Sequence, residues 1–185
     1  MNVAFFKESQ LRMKFFKFKS PVIRSLARLY LGFGAAILFF VIVFNTSAFY
    51  NYVNVPFTSF IVLVSSFLIN IFGGTSFVDG THLSTPSFGI NVVDGCNGIY
   101  ATAILLSGII AYPSKLKHKG IGMLLGIIAI FALNLARVIS LLYLGQYFPG
   151  IFKEIHVFIW QPLIILWAIY IWYIWWKAIE AKNSK

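Results

Sequence analysis

Three residues of this chain can combine in one chemistry: Cys96, Arg137 and His156. A thiol beside an imidazole can pass it a proton and become a nucleophile. A guanidinium next to them can stabilise the thiolate, or the oxyanion that forms when a thiolate attacks a carbonyl. Together the three suit acyl transfer by a thiol protease or a transpeptidase. Cys96 is the only cysteine, so no internal disulfide can form. It lies in Asn-Val-Val-Asp-Gly-Cys-Asn-Gly-Ile, residues 91–99, where a turn-rich segment gives way to an apolar run. A lone cysteine is most often a small buried hydrophobe. The polar turn and the start of a helix argue instead for a reactive thiol, because a helix N-terminus lowers a thiol pKa.

The neighbours of this trio each have a plain reading as well. Arg137 sits inside an apolar run, where an arginine is costly and normally has a partner or a role. Close to the water boundary it would snorkel instead. Asn134, three residues earlier, falls on the same helix face and extends a polar stripe. His156 alone would be an ordinary interfacial histidine. Asp94, two residues before the thiol, could orient His156, although a turn-forming role suits it better. His82 and His118 lack partners at metal-ligand spacing, so neither a metal nor a cofactor is expected. No phosphate-loop, dinucleotide or zinc motif is present. Gly120, Gly122 and Gly126 read as sites of close helix packing.

The elements that must position these residues follow from composition. Of 185 residues, 59% are hydrophobic and only 11% charged, and the mean hydropathy is +0.84. The apolar residues come in long runs, which places the chain in a bilayer. The formal net charge of +10 is unevenly placed. Lys7, Arg12, Lys14, Lys17, Lys19, Arg24 and Arg28 precede a stretch from Leu29 to Ser114 with no Lys or Arg. In a polytopic membrane protein such an arm is a cytoplasmic flank rather than a nucleic-acid binder. The expected organisation is a basic arm over residues 1–20, suited to an anionic lipid surface, and one membrane-embedded domain over residues 21–185. The first apolar run has no signal-type flank or cleavage site and reads as retained.

Spanning helices are expected over Ala27–Phe44, Asn97–Tyr112, Ile121–Leu144 and Val157–Trp176. Val55–Phe72 is long enough to span, yet its weak amphipathicity fits a helix lying in the interface. Within Gly73–Gly95, Asp79-Gly80 marks a turn, and Phe88, Ile90 and Val92 alternate as in a strand, predicting a small β-hairpin. Basic residues flank the first helix, fill Ser114–Lys119 and follow Trp176, so both termini and that loop are expected on the cytoplasmic side. The fold class expected is therefore an all-α polytopic membrane protein. It has about four transmembrane helices, an interfacial helix and a small hairpin on the outer face. Arg137 lies sixteen residues past Ile121, about 24 Å along its helix. Because the helices alternate in direction, Cys96, Arg137 and His156 converge on one membrane face, the outer one in this orientation.

Cys96-Asn97-Gly98-Ile99, then Asn134-Leu135-Ala136-Arg137-Val138, then His156 resembles the exosortase/archaeosortase family of membrane cysteine transpeptidases. The family pattern is a Cys-Ser/Asn-Gly helix start, an Asn-x-x-Arg helix and a later His, in that order. The likeness runs from about Ser65 to Trp176, and the short length resembles compact, exosortase H-like members. The resemblance implies cleavage of C-terminal sorting signals made of a short motif, a spanning helix and a basic tail. It implies Cys96 as nucleophile, His156 as general acid/base and Arg137 as electrostatic stabiliser. Asn97 stands where many members have Ser, which argues against a direct role for that side chain. The partners expected are substrate proteins carrying such signals and the lipid bilayer, at a prokaryotic cytoplasmic membrane. The competing reading is a non-enzymatic membrane subunit, a transporter half or assembly partner, in which Arg137 holds a polar contact. The enzyme needs Cys96, whereas the subunit would tolerate alanine there.

Overall fold

A computed structural model describes the backbone of residues 3–183 and the side chains of residues 23–182. The charged and aromatic side chains assigned above to a surface-binding arm lie outside the described side chains. Helix α1 (Val3–Phe44) leads through the short α2 (Ser47–Phe49) and a π-helical turn (Tyr50–Asn54) into α3 (Val55–Ile71). Three short strands follow: β1 (Phe77–Asp79), β2 (His82–Ser84) and β3 (Gly89–Asn91). Then come α4 (Ile99–Ala111), α5 (Leu116–Tyr147), the single turn α6 (Phe152–Glu154), a π-helical segment (Ile155–Trp160) and α7 (Gln161–Asn183). The protein is an all-α polytopic membrane protein with one small sheet.

Four stretches among the described residues are long and apolar enough to cross a membrane: Ile23–Phe44, Ser47–Ile71, Leu116–Tyr147 and Pro149–Lys182. They are not the four expected. Ser47–Ile71 is included, while α4, expected to span, has only 13 residues. At 1.5 Å per residue, α4 alone covers about 20 Å, short of a hydrocarbon core of about 30 Å.

Around α4 the helices alternate in direction. Gly32 of α1 faces Ala111, while Phe44 meets Tyr100 edge-on at 5.4 Å. Trp167 of α7 donates to the Ala129 carbonyl of α5 (3.2 Å), and Trp175 donates to the His118 carbonyl (3.0 Å). The core here is Ala101, Leu105, Ile109, Ile130, Ile164 and Ala168. Small residues let these backbones approach. A methyl group at Gly126 would strike Leu105, and one at Gly122 would strike Trp175. Gly120, grouped with them by sequence, faces open space and has no packing role.

A second core forms beyond the first along α5, from Ile61, Val62, Ile69, Leu83, Val92, Val138 and Leu142. Helix α5 has 32 residues, about 48 Å, and so outlasts the bundle. Its far half carries α3 and the sheet. Phe57 and Phe60 lie against Phe131, and Ile69 and Gly74 approach Tyr143. Early residues pair with early and late with late, so α3 runs alongside α5 in the same direction. It therefore lies along the far half of α5, and both its ends stay away from the basic loop before α5.

The buried face of α3 is also not the one that hydrophobic periodicity selects. Thr58, Ser65 and Ser66 are buried with Ile61, Val62 and Ile69, while Phe60, Phe67 and Ile71 are exposed. In lipid, large apolar side chains gain nothing by turning inward, and small polar ones pack helices closely. Ser66 and Ser76 share a hydrogen bond of 2.8 Å, which ties α3 to the start of β1.

The turn expected at Asp79-Gly80 is present, but it joins β1 to β2, and the strand expected to complete that hairpin is instead the third of a three-stranded antiparallel sheet, ordered β1-β2-β3. Asp79 pairs with His82 across a two-residue turn, and Gly80 adopts a φ of +58° that a side chain would resist. The third strand pairs His82 with Asn91 and Ser84 with Gly89. It delivers the chain to the turn that holds Cys96.

Candidate active site

The turn after β3 places the thiol. The Cys96 N–H donates to the Val93 carbonyl (3.0 Å). Gly95 and Gly98 take φ values of +82° and +81°, so the Gly-Cys-Asn-Gly sequence folds as a reversal that other residues would strain. Helix α4 starts only at Ile99, with Gly98 as its cap. Cys96 thus lies just before the first helical turn rather than in it. The half-buried thiol is instead pushed above its ordinary value, first by burial. The charge of Arg137 opposes this shift and that of Asp94 adds to it.

Asn97 turns away from the thiol and locks the turn from behind. Its Nδ2 donates to Asn54 Oδ1 and to Thr58 Oγ1 (2.9 Å), and its Oδ1 accepts from the Ile99 N–H (3.2 Å). Asn54 ends the π-helical turn before α3 and is itself buried. Neither Asn54 nor Thr58 was singled out from sequence as part of the site. Their only signal was polarity on an apolar helix, which does not say what they face.

Arg137 comes from the far half of α5 and is 1% exposed. Its Nη2 stands 3.0 Å from His156 Nε2 and 3.7 Å from Cys96 Sγ. His156 Nε2 is in turn 3.2 Å from Cys96 Sγ. The structure therefore brings together all three residues proposed to share one chemistry. His156 sits in the π-helical segment, where the Gln161 N–H reaches back to the His156 carbonyl. One extra residue per turn rotates His156 relative to the helix that follows, a common device at functional sites.

The supporting residues fall out differently. Asp94 makes no hydrogen bond to His156 among the described residues. It accepts from the Gly95 N–H (3.0 Å) and from the Tyr100 hydroxyl (3.1 Å), which is the turn-forming role. Asn134 is fully buried, and neither amide atom has a partner among the described residues. It packs beneath Gly98, where an added methyl group would come within 3.4 Å of its Cγ. It supports the turn by contact and makes no hydrogen bond to Arg137. No group of His, Cys, Asp and Glu able to hold a metal occurs among the described residues.

Beside the trio lies a cavity of about 280 Å³, bounded by β3, α5 and the Phe152–His156 segment. Phe88 and Phe152 meet edge-on at 6.1 Å across one end. Gly145 makes room for Phe88, since a methyl group there would fall 2.1 Å from its ring. Two donors of Arg137, Nε and Nη1, are buried with no partner among the described residues.

A family model described as transmembrane exosortase matches residues 24–173. The chain belongs to the transmembrane exosortase family. The matched span contains Cys96, Arg137 and His156, and it covers the helices and the sheet that bring them together. No curated protein and no solved structure matches the chain. Membership fits the long apolar helices and makes the chain an integral membrane protein of exosortase type.

Proposed function

We propose that this exosortase family member is a membrane-embedded cysteine transpeptidase. It cleaves C-terminal sorting signals, each a short motif, a spanning helix and a basic tail, from exported proteins, and transfers the cleaved chain to an acceptor. The observation that carries the reading is the 3.2 Å approach of Cys96 Sγ to His156 Nε2, with Arg137 Nη2 beside both. His156 takes the thiol proton as the sulfur attacks the scissile carbonyl carbon. Arg137, itself buried, donates to the resulting oxyanion. Collapse breaks the C–N bond, and the leaving amine takes the proton from His156. The thioester left on Cys96 is then attacked by an acceptor nucleophile, whose proton passes to His156 as the thiol is released.

The site faces the outer side of a prokaryotic cytoplasmic membrane in this reading. Leu116, next to the basic loop, and Arg137 are 21 residues apart on α5, about 31 Å along the axis, which is about one hydrocarbon thickness. A basic loop held in the cytoplasm puts the trio at the opposite boundary. There it would meet a motif just outside a substrate's own spanning helix. The test is Cys96→Ala in cells lacking a second enzyme of this type: substrate with its C-terminal helix intact accumulates. Normal removal of the signal would favour the non-enzymatic membrane subunit.

A further inference from the structure

The β3 edge of the sheet has no covering strand among the described residues, and that edge borders the thiol's own cavity. In the β2–β3 ladder the Val92 N–H donates to the Thr81 carbonyl (3.0 Å), and the Thr85 N–H donates to the Phe88 carbonyl (2.7 Å). Backbone groups alternate sides along an antiparallel strand. Those of Phe88, Ile90 and Val92 therefore point to β2, and those of Gly89 and Asn91 point to the opposite edge. No backbone partner for those outward groups occurs among the described residues. Gly89, Asn91 and Val93 line the same cavity as Cys96, Arg137 and His156. The Val93 carbonyl accepts the Cys96 N–H, so the edge runs directly into the turn that carries the nucleophile. Exposed strand edges are usually blocked or covered. This one is short and opens onto the reacting groups.

We propose that the free edge of β3 binds the substrate's cleavage segment as an added antiparallel or parallel strand, so that backbone hydrogen bonds to Gly89 and Asn91 carry its scissile carbonyl to Cys96. Strand addition takes affinity from the main chain and specificity from alternate side chains. Side chains of the added strand that point inward meet Ile90, Phe152 and Leu141 in the cavity, so an apolar residue belongs there. Those that point outward meet solvent and are unrestricted. The substrate class is thus an extended peptide with one apolar anchor. This rests on Cys96 being the nucleophile, and the experiment separates the two ideas.

The probes are chloroacetamide and a chloroacetyl-capped Ala-Val-Ala amide, applied to the full chain in lipid nanodiscs. In each case the Cys96 thiolate displaces chloride and forms a thioether. The peptide should alkylate Cys96 about tenfold faster than chloroacetamide, the gain expected of about two net hydrogen bonds. N-methylation at one of two adjacent peptide nitrogens should remove that gain, and at the other leave it, because only alternate N–H groups face the edge. Asn91→Pro, which deletes an outward N–H and no ladder bond, should remove the gain, read as the ratio of the peptide rate to the chloroacetamide rate on the same variant. Should Asn91→Pro misfold, seen as altered chloroacetamide labelling, the two N-methylated peptides on the unchanged protein decide. No gain for the peptide, or equal effects of the two N-methylations, overturns strand addition and leaves the transpeptidase reading intact. Failure of chloroacetamide itself to label Cys96 above a Cys96→Ala background overturns both.

Discussion

Arg137 Nη2 lies closer to His156 Nε2, at 3.0 Å, than to Cys96 Sγ, at 3.7 Å. A guanidinium can only donate, so in this arrangement Nε2 of His156 offers a lone pair and the ring proton belongs on Nδ1. The same lone pair faces the thiol. In the proposed reaction the arginine therefore does two things: its bond to Nε2 sets the ring tautomer, and that bond gives way when the lone pair takes the thiol proton, which frees Nη2 for the oxyanion.

Arg137→Lys tests that double contact. A lysine keeps the charge but is a single ammonium without the planar fork that reaches two partners. Processing of a sorting-signal substrate should fall by about 10²-fold or more, as for loss of an oxyanion donor. Arg137→Ala should be no worse than a few-fold beyond this. Both variants should be compared at matched membrane levels. Near-normal processing by the lysine variant would mean that a point charge is enough.

The pH dependence of Cys96 alkylation by iodoacetamide follows from its surroundings. Only the thiolate reacts, and burial pushes the thiol above its ordinary pKa. The rate should therefore rise with pH through a midpoint above that of a free cysteine. Arg137→Gln removes the opposing charge and should move the midpoint further up. Asp94→Asn removes a cause of the rise and should move it down. Opposite movements would show that these charges do not reach the sulfur.

Asn97→Ala should destabilise the turn by about 1–3 kcal/mol, because the buried Asn54 Oδ1 would lose its close donor, while Thr58 Oγ1 would keep only its bond to the Asn54 carbonyl. Thermal unfolding in detergent measures this. Replacing Asn54 and Thr58 together with apolar residues in the Asn97→Ala background should recover part of the loss. Absence of any loss in the single variant would assign Asn97 no locking role.

Topology gives a further expectation. A reporter fused after Lys185 should report the cytoplasm, and one inserted near Thr85, at the sheet, should report the outer side. A cytoplasmic signal at Thr85 would reverse the proposed placement of the site.

Much was fixed by the residues themselves. The long apolar runs and the interval without Lys or Arg dictate a membrane protein, because neither pattern is tolerable in a soluble core or a basic surface. The order Cys96, Arg137, His156 carries the family, and helices alternating in direction bring three such residues to one end of a bundle. Other features depended on tertiary contacts. Hydrophobic periodicity did not select the buried face of α3, which carries Thr58, Ser65 and Ser66 while Phe60 and Phe67 stay exposed. The thiol's pKa is pushed up first by burial, because Gly98 holds back the helix start and leaves Cys96 in a half-buried turn. Asn54 became a partner of Asn97 only once a π-helical turn aimed it there. The distances within the trio follow from where α5 passes the turn and from the π-helical segment that rotates His156, and no local sequence pattern encodes either of them.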